Sequence, residues 1–118
     1  MSHRNHSRLT PERKTHAPVF AALGDEMRLS LLAKLSCGKP HSISKLTAGS
    51  RVTRQAVTKH LRVLEGAGIV HSLRKGRETL FEFDPKPIEA AKGYLDLVSA
   101  QWDQALARLK AFVEEDVL

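Results

Sequence analysis

Polar and basic side chains crowd one short stretch, VTRQAVTKHLRVLEGAGIV, which runs from Val52 to Val70. Within it, Val57, Leu61 and Leu64 recur at steps of four and three, the spacing of one buried stripe on a helix. The other faces of that helix then carry hydroxyl, amide and cationic groups. Such groups bind phosphates and base edges, so the stretch predicts an exposed helix that contacts a nucleic acid.

Individual side chains of this polar helix suit different parts of a duplex. Arg54 can present a fork to guanine, and Gln55 can present a bidentate amide to adenine. The threonines offer hydroxyls to a phosphate or methyls to thymine, and the remaining cations suit phosphates. His60 lies beside the buried stripe, where a histidine is more often a packed, hydrogen-bonded group than a base reader. The predicted DNA-binding residues of the helix are Thr53, Arg54, Gln55, Thr58, Lys59 and Arg62.

The formal net charge of +6 is concentrated in the first part of the chain. Residues 1–84 carry 15 lysines and arginines against 7 acidic residues, whereas residues 85–118 carry 4 against 6. From Lys45 to Arg77, eight basic residues accompany the single acid Glu65. Such a cluster attracts a polyanion through salt-sensitive forces, although a merely solvated basic face would have the same composition.

A change of hydrophobic period after the polar helix predicts a β-hairpin. In IVHSLRKGRETLFEFD, apolar residues flank RKGRE, whose glycine suits a tight turn between two strands. The tip residues Lys75, Gly76 and Arg77 can contact the DNA backbone or a minor groove. A helix, a short helix, a turn, a polar helix and a basic hairpin follow one another in a winged helix-turn-helix, whose second helix enters the major groove.

Capping and stop signals predict three helices before the polar helix. The stretch APVFAALGD is a short helix that ends with Gly24 as its C′ residue, and the next helix begins with Asp25 as its N-cap and stops near Gly38. Ser42 can cap a third, short helix. Residues 1–15 lack periodicity, so we expect a flexible basic arm there.

One long helix is the economical interpretation of the chain from Pro85 onward, with Pro87 in its first turn. Its apolar residues alternate in steps of three and four, which is a heptad-like seam. About 30 residues at 1.5 Å each would span roughly 45 Å, more than so small a domain covers alone. The seam could pack only on its own domain, but its length favours self-association through Leu95, Val98, Trp102, Leu109 and Phe112.

The sequence therefore predicts a mostly α-helical fold with a small β-hairpin wing. We expect one domain made of an arm (1–15), a winged helix-turn-helix (16–84) and a dimerisation helix (85–118). The 118 residues include no apolar run near the ~20 needed for a bilayer and no secretory signal, which predicts a soluble cytoplasmic protein. The lone Cys37 cannot form an internal disulfide, and we expect a small buried residue.

Three blocks of the chain, FAALGDEMRLSLLAKL, VTRQAVTKHLRVLEGAGIV and RKGRETLFEFDP, resemble successive blocks of the ArsR/SmtB family of winged-helix transcriptional regulators. The resemblance implies a bacterial homodimer that binds palindromic operator DNA, usually as a repressor. It also implies that the wing role belongs to Lys75–Arg77 and the recognition role to Thr53, Arg54, Gln55, Thr58 and Lys59.

The chain resembles a branch of that family without the familiar metal-binding sequences. No cysteine occurs between Ser42 and Val52, and no histidine or cysteine follows His71. We therefore expect no specific metal site and no cofactor, although His3, His6 and His16 could bind a metal adventitiously.

One other functional hypothesis remains open at this level, and a third function, catalysis, is not expected. A winged helix could instead be a protein-interaction module that docks a partner through its long C-terminal helix. Catalysis is not expected, because the sequence has no phosphate-binding glycine loop, nucleophile elbow or metal-ligand cluster. DNA binding could be constitutive, or a small-molecule effector could bind between the N-terminal and long helices.

Overall fold

The structure is a computed structural model that describes the backbone of residues 3–117 and the side chains of residues 12–115. It confirms a mostly helical fold with a small antiparallel sheet and a long C-terminal helix. In chain order, the elements of the described residues are α1 (His3–Leu23), α2 (Glu26–Leu35), β1 (His41–Ser42), α3 (Ile43–Thr47), α4 (Arg54–Gly66), β2 (Val70–Lys75), β3 (Glu78–Phe83) and α5 (Lys86–Val117).

Side-chain caps begin α2, α3 and α4 at the residues that the sequence predicts. Asp25, Ser42 and Thr53 each accept a hydrogen bond of 3.0 to 3.1 Å from the backbone N–H three residues further on. Each cap satisfies a backbone donor that the first turn of a helix leaves without a partner. The starts of these three helices are therefore set by local chemistry.

Gly24 follows the last residue of α1, but it does not adopt the left-handed conformation of a typical C′ glycine, because its φ is not positive. The side chain of Arg28 satisfies the end of α1 instead. Its Nε donates to the Ala22 carbonyl at 2.6 Å, and its Nη2 donates to the Ala21 carbonyl at 3.3 Å. A side chain from the first turn of α2 thus replaces the predicted glycine cap.

The prediction of a flexible arm over residues 1–15 is wrong for the backbone from His3 onward, which belongs to α1. The later turns of α1 pack on α5, where the ring centres of His16 and Tyr94 lie 5.2 Å apart. Packing of one end stabilises a helix whose own sequence has little periodicity. The side chains of His3 and His6 lie outside the described ones.

The small sheet has the strand order β1–β3–β2, and both pairings are antiparallel. The predicted hairpin is confirmed, with Val70 opposite Phe83 at its base and Lys75 opposite Glu78 at its tip. The sequence did not predict β1, in which His41 pairs with Phe81. Two residues are too few to show a strand period, so only the tertiary pairing defines this strand.

A single hydrophobic core joins all the helices to the sheet. The stripe of α4 is fully buried in it, together with Phe81 from β3 and Ala91 from α5. The other buried residues of this core are Val19, Ala22, Leu31, Leu32, Leu35, Leu46, Ile69 and Val70. Cys37 is exposed, against the prediction of a buried residue, because it follows the end of α2 in a turn.

Only the first turns of α5 are covered by the rest of the chain. The molecule measures 70 × 34 × 22 Å and has a radius of gyration of 20.0 Å, whereas a compact domain of this length has one of roughly 13 to 14 Å. The second half of α5 therefore projects from the domain. No helix within residues 3–117 combines the length and the apolarity needed to cross a membrane.

Candidate nucleic-acid interface

Burial of one face of α4 decides which of its side chains remain available. Because Val57, Leu61 and Leu64 point into the core, Gln55 and Lys59 on the other side of α4 are exposed. Arg54 lies in line with the buried stripe, but it is the first residue of the helix and is exposed there. The exposure of all three agrees with what the sequence predicts for DNA-binding residues. Arg54 and Gln55 are the first two residues of the helix. In a helix-turn-helix this N-terminal part of the second helix is the part nearest the base edges.

The two threonines of the predicted site, Thr53 and Thr58, differ in whether their hydroxyl protons remain available to DNA. Thr53 Oγ1 accepts a hydrogen bond from Ala56 N, so its own O–H remains able to donate to a phosphate oxygen. Thr58 Oγ1 donates to the Arg54 carbonyl at 2.7 Å, which uses its hydroxyl proton inside the helix. In this conformation Thr58 keeps its methyl group for contact with a thymine.

Arg54 is held by a side chain of the preceding helix. Its Nη1 donates to Ser44 Oγ at 3.0 Å, and this hydrogen bond joins α3 to the start of α4. The guanidinium group has further N–H donors in the same plane. The contact therefore orients the guanidinium group and leaves donors free for a base.

Arg62 has partners within the protein, in contrast to Lys59. Its Nη1 lies 2.7 Å from Glu65 Oε1, and its guanidinium carbon lies 5.7 Å from the centre of the Phe81 ring. Glu65 Oε2 in turn accepts a hydrogen bond of 2.7 Å from Ser72 Oγ in β2. Arg62 thus belongs to a connection between α4 and the wing, which sequence reasoning missed because Ser72 is its distant member.

The hydrogen bond from Ser72 and the ion pair with Arg62 lower the pKa of Glu65 below its ordinary value of 4.5, with the Ser72 bond as the larger cause. Both contacts favour the charged form of the carboxyl group. At neutral pH the connection between α4 and β2 therefore contains a carboxylate that accepts from both neighbours.

The hairpin tip is exposed and tightly turned. Gly76 has a φ of 64°, and among the described residues no other type has a positive φ, so Arg77 follows with a negative φ. A glycine with positive φ at the first of two loop positions is the pattern of a type II′ turn. Lys75, Gly76 and Arg77 are all exposed at this tip.

The base of the hairpin is tied to the long helix by Asp84. Its Oδ2 lies 2.9 Å from His71 Nε2 in β2, and its Oδ1 accepts from Lys86 N at 3.0 Å. The bond to His71, followed by the bond from the Lys86 backbone, lowers the pKa of Asp84. One carboxylate thus connects β2 with the start of α5.

His60 is hydrogen-bonded within the protein, in agreement with the sequence interpretation. Its Nδ1 lies 3.2 Å from Arg28 Nη1 and 3.8 Å from Asp25 Oδ1. Among residues 12–115, no group of three or more His, Cys, Asp or Glu side chains is placed to hold a metal ion.

The apolar seam of α5 is largely uncovered in a single chain. Leu95, Trp102, Leu109 and Phe112 are 49 to 66% exposed, and Val98 is half-buried. The structure adds two residues to the predicted seam, because Leu106 and Val113 are also exposed. Both follow predicted seam residues by four positions, so helical spacing could have found them. We refer to these seven residues as the α5 stripe.

These elements define a winged helix-turn-helix domain, and comparisons with known proteins agree. Residues 23–72 match the family described as a helix-turn-helix domain. The uncharacterised HTH-type transcriptional regulator YuzN of Bacillus subtilis is 38% identical over 85 residues, which cover 66% of this chain and 92% of that protein.

Solved structures agree with these sequence matches. An ArsR-like transcriptional regulator from Rhodococcus is 36% identical, with a TM-score of 0.72, and covers 84% of this chain and 92% of its own. A Mycobacterium bovis domain described as a homodimeric winged helix-turn-helix DNA-binding domain has the same fold, with 21% identity, a TM-score of 0.58 and coverages of 80% and 84%. The chain belongs to the ArsR family of winged helix-turn-helix transcriptional regulators. It is accordingly a DNA-binding transcriptional regulator.

Removing the charge of Glu65 should weaken the fold most at neutral pH. The folded pKa of Glu65 is depressed, so its stabilising contribution is present above 4.5 and is lost as pH falls through the lower folded value. We expect Glu65→Gln to lower the free energy of unfolding at neutral pH and to flatten its decline below pH 4.5. Urea unfolding across this range measures both effects.

The matched control is Glu82→Gln, which changes an exposed carboxylate on β3. An acid profile that shifts equally in both variants would contradict a specific role for the contacts of Glu65.

Proposed function

We propose that the chain is a homodimeric repressor that binds an inverted-repeat operator through α4 and the wing. The observation that carries this proposal is the exposed start of α4, where the first two residues of the helix, Arg54 and Gln55, both have exposed side chains. A forked cation and a primary amide at this position match the donor and acceptor patterns of guanine and adenine in a major groove.

The contacts divide into base reading and backbone positioning. Arg54, oriented by Ser44, reads a guanine, and Gln55 reads an adenine. The free hydroxyl proton of Thr53, together with Lys59 and the wing tip, contacts phosphates. Because Glu65 already compensates the charge of Arg62, we assign Arg62 a smaller part in phosphate binding than Lys59. Thr58 contributes its methyl group.

The α5 stripe supports a dimer. Large exposed apolar patches on monomers usually mark interaction sites, and this one continues along the projecting half of the helix. The Mycobacterium bovis domain with the same fold is described as homodimeric. A two-fold axis would place two copies of α4 on half-sites about 10 to 21 bp apart, so the operator would be an inverted repeat.

In this proposal, the protein represses transcription by occupying its operator. A dimer that lies along two half-sites excludes another protein from the same DNA. Competition for a promoter therefore requires no activity beyond specific binding, and DNA affinity alone would set the level of repression.

Selection of bound duplexes from a random-sequence pool tests the proposed function. At near-physiological salt, we expect the purified protein to enrich an inverted repeat, with the same result when a chelator is present. A matched pool without protein is the control. A folded protein that shows no preference for any inverted repeat over random duplex would refute specific operator binding.

Single substitutions should separate base readers from phosphate contacts. Arg54→Ala or Gln55→Ala should relax the preference at one base pair and cost about 1 to 3 kcal/mol of specific binding. Lys75→Ala should weaken binding to all duplexes alike and reduce the dependence on salt. Titrations with operator and random duplex at several salt concentrations measure both. Equal losses on every sequence for both kinds of variant would contradict the division.

A charge in the α5 stripe should abolish dimerisation. We expect Trp102→Glu or Leu109→Glu to sediment as a monomer and to lose the preference for two half-sites, because a carboxylate cannot be buried there without a partner. Leu97→Glu is the matched control, since Leu97 is exposed on α5 but lies two residues from Leu95 and so faces another side. A wild-type monomer would instead favour a module that docks a different protein.

A further inference from the structure

Three helices meet at the side chain of Arg28. From its place in α2, Arg28 donates to the carbonyls of Ala21 and Ala22 at the end of α1. Its Nη1 lies 3.2 Å from Nδ1 of His60 in α4, and only 15% of its side chain is exposed. One guanidinium group therefore joins the end of α1, the first turn of α2 and the middle of α4. We call Arg28 and His60 the α1–α4 joint.

The chemistry of the joint determines the roles of its atoms. A guanidinium group has donors and no acceptor, so a hydrogen bond between Arg28 Nη1 and His60 uses Nδ1 as the acceptor. Asp25 completes the surroundings, with Oδ1 3.8 Å from His60 Nδ1 and Oδ2 4.0 Å from Arg28 Nη1. Hydrogen bonds depend on direction as well as distance. The joint therefore adds a directional restraint on the rotation of α4 to the restraint from its buried stripe.

The joint also lies between the two surfaces that the proposed function uses. On one side, α1 packs on α5, where Phe20 and Tyr94 have ring centres 6.4 Å apart, and α5 carries the apolar stripe. On the other side, His60 directly follows Lys59 and belongs to the same helix as Arg54 and Gln55. The other polar connections of α4 lead elsewhere: Glu65 and Ser72 join it to the wing, and Arg54 joins it to Ser44 in α3.

We propose that Arg28 and His60 are positioning residues that set the orientation of α4 on the α1–α5 scaffold and thereby determine operator specificity without touching DNA. The inference rests on the proposed function, because a dimer reads two half-sites only if both copies of α4 keep a fixed separation and tilt. Binding sites lose function when their geometry departs by about 0.5 Å or 10 to 20°. A misoriented α4 would still attract DNA through its positive charges, but its side chains would no longer align with the bases of the operator.

His60→Leu removes the acceptor and retains an apolar side chain. We expect its affinity for the selected inverted repeat to fall about tenfold, the size of effect associated with a hydrogen bond to a charged group. Its affinity for random duplex and its dimer dissociation constant should not change. Its preference among inverted repeats with altered half-site spacing should become flatter. Fluorescence anisotropy and sedimentation measure these quantities.

His60→Asn is the conservative rescue, because its side-chain oxygen can accept from Arg28 at about the place of Nδ1. It should recover most of the operator affinity and the spacing preference. Val63→Ala is the matched control on α4, since Val63 is exposed and lies outside the joint. It should bind the operator as the wild type does.

Three results would overturn the proposal: unchanged operator affinity in His60→Leu, an equal loss on operator and random duplex, or no rescue by His60→Asn. If the wild type itself prefers no inverted repeat, the proposed function fails together with this inference. A wild type that prefers one repeat, with His60→Leu unaffected, overturns the positioning role alone.

Discussion

Burial of the apolar stripe of α4 is the constraint on which the rest of the structure depends. Val57, Leu61 and Leu64 are almost completely removed from water, and they pack in one core with Phe81. This burial fixes the rotation of α4 about its axis to within the width of the stripe, so Gln55 and Lys59 must face outward. Arg54 lies in line with the stripe and is exposed because it is the first residue of the helix. Burial of the stripe also places the wing against the helix, because Phe81 belongs to β3. The candidate DNA-binding surface therefore consists of the residues of α4 and the wing that the core leaves exposed.

Directional polar contacts further restrict the relative orientations of the elements that the apolar core packs together. Glu65 and Ser72 connect α4 with the wing, Arg28 and His60 connect it with α1, and Asp84 connects β2 with α5. Each connection joins elements that are separate in sequence. A DNA-binding surface needs several groups at fixed relative positions, and directional bonds at the edges of a non-directional core supply that precision.

The long helix relates this single domain to its proposed assembly. Its first turns belong to the core through Ala91, while its second half projects with an apolar stripe that the chain itself does not cover. Because α1 packs on α5 and its end is hydrogen-bonded to Arg28, a partner that covers the α5 stripe is connected to the α1–α4 joint through direct contacts. The homodimer and the orientation of α4 are therefore parts of one proposed mechanism, and the α1–α5 pair is their common scaffold.

The sequence by itself determined the elements whose signals are local. The caps at Asp25, Ser42 and Thr53, the stripe of α4, the hairpin and the long helix depend on patterns three or four residues long or on alternation, which a sequence displays directly. The tertiary structure decided β1, the helical backbone before residue 16, the exposure of Cys37, and the contacts that Arg28 makes with α1 and His60. Those features depend on which elements pack together. Arg28 contacts His60, 32 positions away in the chain, only once the core has formed. The spacing of residues in the sequence does not indicate that these two side chains lie close together.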